Sequence, residues 1–167
     1  MKKYISIIIC TLIALGWVIF IWSNSAKTGE ESGKASSQVH EVVNEVAQNV
    51  GIEEPISERT VRKSAHFGEY MILGLIVCVD MIFISNVFFN RSVTARSLSL
   101  LVSIPFSVTI AMIDEFVIQG STEGRGPSFT DVLIDLSGTT LGFILILIGF
   151  LIAVCVANRR EKVHSRG

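Results

Sequence analysis

Seven ionisable side chains stand at the ends of segments that are otherwise apolar: His66, Glu69, Asp114, Glu115, Arg125, Asp131 and Asp135. A histidine beside a carboxylate can act as an acid/base pair. An arginine flanked by glycines, as in Gly124-Arg125-Gly126, lets the backbone approach an anionic group while the guanidinium holds it. A divalent metal on His66 and two carboxylates is an alternative, but no HExxH-type spacing supports it, and no metal or other cofactor is expected. No Ser or Cys stands beside a base in a nucleophile motif. Charge in hydrocarbon is costly, so such residues face a bundle interior, pair with one another or carry function.

The elements that must position them are long and apolar. Half of the residues are hydrophobic and only 17 % are charged, against roughly 25 % in soluble domains. The stretches Tyr4–Trp22, Phe67–Phe89, Leu98–Ile118 and Leu136–Ala157 each have about the 20 residues needed to cross a bilayer. The expectation is an all-α, multi-pass membrane protein, one domain over 1–167, with four transmembrane helices at about 4–22, 66–89, 98–119 and 133–157. The first apolar run exceeds a usual signal-peptide core of roughly 7–15 residues, so an uncleaved anchor is expected. The net charge of −1 gives no basic excess for nucleic acid. Cys10, Cys78 and Cys155 all fall inside apolar stretches and read as buried small hydrophobes.

Lys2 and Lys3 precede the first span, Arg91 and Arg96 lie between the second and third, and Arg159, Arg160, Lys162 and Arg166 form the tail. With four spans these share one side, which the positive-inside rule makes cytoplasmic together with both termini. The loops 23–65 and 120–130 then lie outside, and the ionisable residues form one layer near the outer interface.

Ser23–Ser37 reads as a linker, and Ala35–Val50 as a short amphipathic helix on the outer surface or packed on the bundle as a lid. Pro55 and Ser57 open the next helix, which runs unbroken into the membrane. On it Arg59, Arg62, His66, Glu69, Tyr70 and Leu73 follow the 3-4 spacing of one face, so Arg62, His66 and Glu69 look inward together, with Lys63 turned to the headgroups. Asp80, about 16 Å deeper, is a second polar site or a residue reaching for the inner headgroups. Pro105 predicts a kink in the third span. Arg125 has a structural alternative, a tight turn whose arginine pairs with a nearby carboxylate. Ser128 or Thr130 caps the last helix, whose Gly138-x-x-x-Gly142 lets another backbone come close.

Arg62-Lys63-x2-His66-Phe67-x-Glu69-Tyr70-x2-Leu73-Gly74 resembles the first motif of the VanZ-like membrane proteins. Asp114-Glu115, Gln119, Gly124-Arg125 and Asp131-Val132-Leu133-Ile134-Asp135-x2-Gly138-x3-Gly142 resemble the second. Trp22-Ser23 with Gly29-Glu30-Glu31-Ser32 resembles the polar stretch that follows their first helix. The chain departs from the family's Asp-Glu-x-x-Gln by one extra residue before Gln119, and Ile118 and Glu123 replace a histidine and a proline. The resemblance implies a small bacterial plasma-membrane protein and a link to low-level resistance to teicoplanin; it supplies no mechanism.

Three functions are consistent with these residues. One is an outward-facing site that binds, and in one version processes, an anionic envelope molecule such as a lipid or a lipid-linked cell-wall precursor. Its lining would be Arg62, His66, Glu69, Tyr70, Asp114, Glu115, Gln119, Arg125, Asp131 and Asp135, with His66, Glu69 and Asp135 as catalytic candidates. The second is a non-catalytic protein whose ion pairs lock the bundle. The third is a proton-coupled transporter or flippase with Asp80 in a relay; four helices are few for that, which leaves a homo-oligomer open.

Overall fold

The computed structural model of the protein describes residues 2–52, 54–88, 94 and 101–164. The loop with Arg91 and Arg96, the side chains of Lys2, Lys3, Arg160 and Lys162, and Arg166 lie outside them. The expected orientation rests on those residues.

The described residues are helical, with no strand among them. Helix α1 spans Lys2–Ser25, α2 Gly29–Asn49 and α3 Glu58–Phe88. Helix α4, Ser103–Met112, continues as a π-helical turn, Ile113–Ile118, and a 3-10 turn, Gln119–Ser121. Helix α5 is Phe129–His164. Three of these are long and apolar enough to span a membrane: Tyr4–Ser25, Glu58–Phe88 and Phe129–Arg159. Their outer faces carry exposed Ile8, Leu12 and Ile19 on α1 and Leu145, Ile148 and Ile152 on α5, which suits lipid rather than water. The described part of the third expected span is too short to count with them, and its start, 98–100, lies outside the described residues.

The supposed linker is a correction. Residues 29–34 are already helical, because Thr28 and Glu31 make a reciprocal capping box that satisfies two otherwise orphaned N–H groups. The Thr28 side chain accepts from the Glu31 N–H at 3.2 Å, and the Glu31 carboxylate accepts from the Thr28 N–H at 3.0 Å. Gly51, at φ 88°, ends α2. Asn44 then clamps the next turn, accepting from the Ile56 N–H at 2.7 Å and donating to the Ile56 carbonyl at 3.2 Å. Val39, Val42 and Val46 of α2 remain exposed while Ala47 is buried and Val43 half-buried, so only part of its apolar face packs on the bundle.

Helix α3 begins at Glu58 and runs unbroken, as the pattern predicts. Its main partner is α5, and the contact is made by glycine. A Cβ on Gly138 would strike the Phe67 carbonyl, one on Gly142 the Met71 carbonyl, and one on Gly74 the Thr139 carbonyl. The small-xxx-small stripe therefore brings two backbones together. Helices α1 and α4 close the bundle through Val18, Ile21, Tyr70, Leu73, Ile110 and Val132. Helix α4 starts at Ser103 after a turn residue, Val102, and Pro105 falls in its first turn, where its missing N–H is tolerated. Of the cysteines only Cys78 is fully buried; Cys155 is exposed on α5.

Candidate functional site at one end of the bundle

The C-terminal end of α1, the N-terminal turns of α2, α3 and α5, and the end of α4 meet in one polar layer. It is organised around the π-helical turn. A π turn accommodates one more residue than an α turn, and it falls where the chain has its extra residue before Gln119. Gln119 is thereby returned to the interior, buried, with its amide donating to Glu115 Oε2 at 2.7 Å and to Asp114 Oδ2 at 3.3 Å. Glu115 Oε1 accepts from the Ser128 N–H at 2.6 Å, which ties the loop to the start of α5. Ser128 thus acts at this helix start through its backbone: its carbonyl accepts from the Asp131 and Val132 N–H groups.

Arg125 is the hinge of the layer. Its guanidinium donates to the Ser25 carbonyl at 3.0 Å, to Gln119 Oε1 at 3.1 Å and to the Ser32 hydroxyl at 2.5 Å. All three acceptors are neutral, so the carboxylate partner entertained for it is replaced by polar oxygens. Burial, and after it the nearby Arg62 guanidinium, pull Arg125 below its ordinary value. The loop is held to α2 by the Gly29 N–H donating to the Glu123 carbonyl at 3.0 Å. Gly124 takes φ 74° there, and a Cβ on Gly29 would collide with the Gly124 carbonyl.

Asp114 and Asp135 are buried, at 0 % and 1 % exposure. Asp114 Oδ2 accepts from the buried Ser25 hydroxyl at 2.9 Å, while its Oδ1 has no hydrogen-bond partner among the described residues. Neither oxygen of Asp135 has one; its Oδ1 stands 4.0 Å from His66 Nδ1. The Tyr70 hydroxyl, fully buried, approaches Asp114 without a hydrogen bond of good geometry. Glu69 accepts from the Asn24 amide at 2.9 Å, and its backbone carbonyl accepts from Trp17 Nε1 at 2.9 Å.

Three expected placements change. Lys63 does not turn to the headgroups: its ammonium binds Asp131 at 2.6 Å, because the α3–α5 glycine contact brings the two helix starts within reach. Arg62 is exposed rather than inward-facing and reaches only the wall of a cavity. Asp80 also does not reach for headgroups. It is buried, accepts from the Thr11 hydroxyl at 2.8 Å, and lines a separate apolar cavity of about 240 Å³.

The main cavity of the layer, about 250 Å³, lies between α1, α2 and α3 and opens to the surface. Lys27, Arg62 and Arg125 line it with His66 and one carboxylate, Glu69; Val39, Val61 and Ala65 give it an apolar side. Asn24, Ser25, Lys27 and Ser32 were not picked out as site residues. Their only signal was that Trp22–Ser32 resembles a family's polar stretch, and polar residues after a span otherwise read as linker.

Fold and site together define a helical membrane protein with a buried acidic layer under a basic cavity. The family model described as VanZ/LLP1 matches residues 9–153. The chain belongs to that family. No curated protein and no solved structure matches it.

Proposed function

We propose that the cavity binds the phosphate or carboxylate headgroup of an anionic envelope lipid or lipid-linked cell-wall precursor at the outer face of a bacterial plasma membrane. The observation that carries this is the charge of the lining: Lys27, Arg62 and Arg125 against the single carboxylate of Glu69. Like charges around one concave space repel unless an anion sits between them. Arginine is the residue suited to two-point contact with phosphate, and the apolar wall offers contact to an acyl chain. The α4 segment would complete a fourth span, with both termini cytoplasmic and α2 lying in the outer interface on its exposed valines. Teicoplanin protection, which family membership raises, would follow from occupancy or exposure of such a headgroup.

The test is lipid retention. Wild-type protein purified in mild detergent is expected to carry anionic lipid by native mass spectrometry and to prefer phosphatidylglycerol over phosphatidylcholine in nanodiscs. Arg62→Ala and Lys27→Ala, which remove exposed cavity walls, are expected to lower that preference about tenfold each, as loss of about 1.4 kcal/mol requires. An unchanged preference in both variants would overturn the reading. Teicoplanin susceptibility of cells carrying the same variants, at equal membrane accumulation, tests the protective role.

A further inference from the structure

Next to His66, which lines the cavity, stand two carboxylates that do not line it and that the anion reading does not use. Asp114 and Asp135 are nine-tenths or more buried, and three of their four carboxylate oxygens lack a hydrogen-bond partner among the described residues; so does His66 Nδ1. One ligand-type atom from each of His66, Asp114 and Asp135 lies within 4.8 Å of the other two. A buried carboxylate without a donor has to be neutralised by a proton or a cation. A proton shared between two of these groups would draw them to about 2.5–3.0 Å. His66 Nδ1 and Asp135 Oδ1 are instead 4.0 Å apart. Atoms bound to one ion at about 2.1 Å lie about 3.0–4.2 Å from each other, depending on the angle between them, so the His66–Asp135 spacing falls inside that range, and a pair at the 4.8 Å bound of the set closes by about 0.6 Å or more on binding.

We propose that His66, Asp114 and Asp135 bind a divalent transition-metal ion beside the His66 wall of the cavity. One imidazole nitrogen and two carboxylates make a mixed nitrogen–oxygen set that suits Mn²⁺, Fe²⁺ or Zn²⁺. The surroundings are those of a metal ligand. Asp114 is oriented through its other oxygen by Ser25 and Gln119, the kind of outer support that ligating carboxylates have. Tyr70, fully buried, lies near both carboxylates. His66 belongs both to this set and to the cavity wall. The ion would therefore sit where an anionic oxygen held by the arginines comes nearest; that use of the ion rests on the anion reading, whereas its binding does not.

The test uses the metal alone. Chelator-stripped full-length protein in nanodiscs is titrated with Mn²⁺ and followed by electron paramagnetic resonance, with bound metal counted by mass spectrometry. One ion per chain is expected, with electron-spin-echo modulation from a histidine nitrogen. Asp135→Asn, close to isosteric, is expected to weaken binding about 100-fold, and His66→Ala to remove the nitrogen modulation. Asp80→Asn, whose carboxylate lies in the other cavity, is expected to bind as wild type does. No stoichiometric Mn²⁺ or Zn²⁺ in the wild type, or bound Mn²⁺ without nitrogen modulation, overturns the proposal even if the variants fail to fold. Equal affinity in Asp135→Asn does so too. A protein that retains the ion but shows no preference for anionic lipid would refute the anion reading and leave the metal site standing.

Discussion

Arg125 makes three hydrogen bonds to three different parts of the chain, at Ser25, Ser32 and Gln119. It therefore joins the first helix, the second and the 3-10 turn that follows the π turn. Lysine, with a single ammonium on a flexible stem, cannot reproduce that fork. Arg125→Lys is expected to lower the midpoint of thermal unfolding in detergent and to loosen the start of α2, read as faster amide exchange over 29–34. Ser25 works from beneath. Its hydroxyl is buried and donates to a carboxylate, so Ser25→Ala removes a donor and leaves Asp114 poorly satisfied, at a cost of about 1–3 kcal/mol. Lys63 and Asp131 are each about a quarter exposed, and solvent screening limits such a pair to about 1 kcal/mol or less. A double-mutant cycle on thermal stability should find the Ser25–Asp114 coupling clearly larger than the Lys63–Asp131 coupling.

Among the elements, the π turn is the one the site depends on. The extra residue of Ile113–Ile118 is absorbed on the side where Phe116 and Val117 are exposed, while Asp114, Glu115 and Gln119 stay buried. Deleting Val117 restores an Asp-Glu-x-x-Gln spacing and is expected to give a protein that accumulates and unfolds like wild type. Deleting buried Ile110 shifts the register of the whole acidic layer and is expected to abolish accumulation. The capping box of α2 makes a pH-dependent contribution. Its Thr28 N–H hydrogen bond holds the Glu31 carboxyl below its ordinary value of 4.5. A carboxyl lowered in the fold stabilises the fold above its unfolded value and loses that effect as pH falls through the folded one. Amide exchange at the first turn of α2 should therefore rise as pH drops below the ordinary carboxyl value of 4.5, once the intrinsic pH dependence is removed, and Glu31→Gln should flatten the effect.

The bundle as assembled is held by the close crossing of α3 and α5. A methyl group at Gly142 has no room, since it would meet the Met71 carbonyl; at Gly149 nothing lies within 4 Å. Gly142→Ala is expected to lose about 1–3 kcal/mol through overpacking and to weaken the Lys63–Asp131 pair as the helix starts part. Gly149→Ala is expected to unfold like wild type. Both are read by thermal unfolding in detergent. Cysteine labelling at Lys27 and Glu123, both exposed, tests the proposed orientation: reaction with an impermeant reagent from outside intact cells is expected, and reaction only after lysis would reverse the topology.

Helical class, membrane character and the identity of the chemically capable residues were legible in the chain, because each rests on local facts: runs of apolar residues, charges placed at their ends, glycines four apart. Hydrophobicity along a helix is additive and needs no partner to be read. Which groups meet was a different matter. The sequence could not place Lys63 on Asp131, draw Ser25 and Ser32 under Arg125, or show that the residue added before Gln119 is taken up by a π turn. Nor could it show that Asp114, Asp135 and His66 face one another while Glu115 turns to the Ser128 amide. Those outcomes depend on how closely two helices approach and on how one turn is wound, and displacements of an ångström or two, set by the packing of distant segments, decide them.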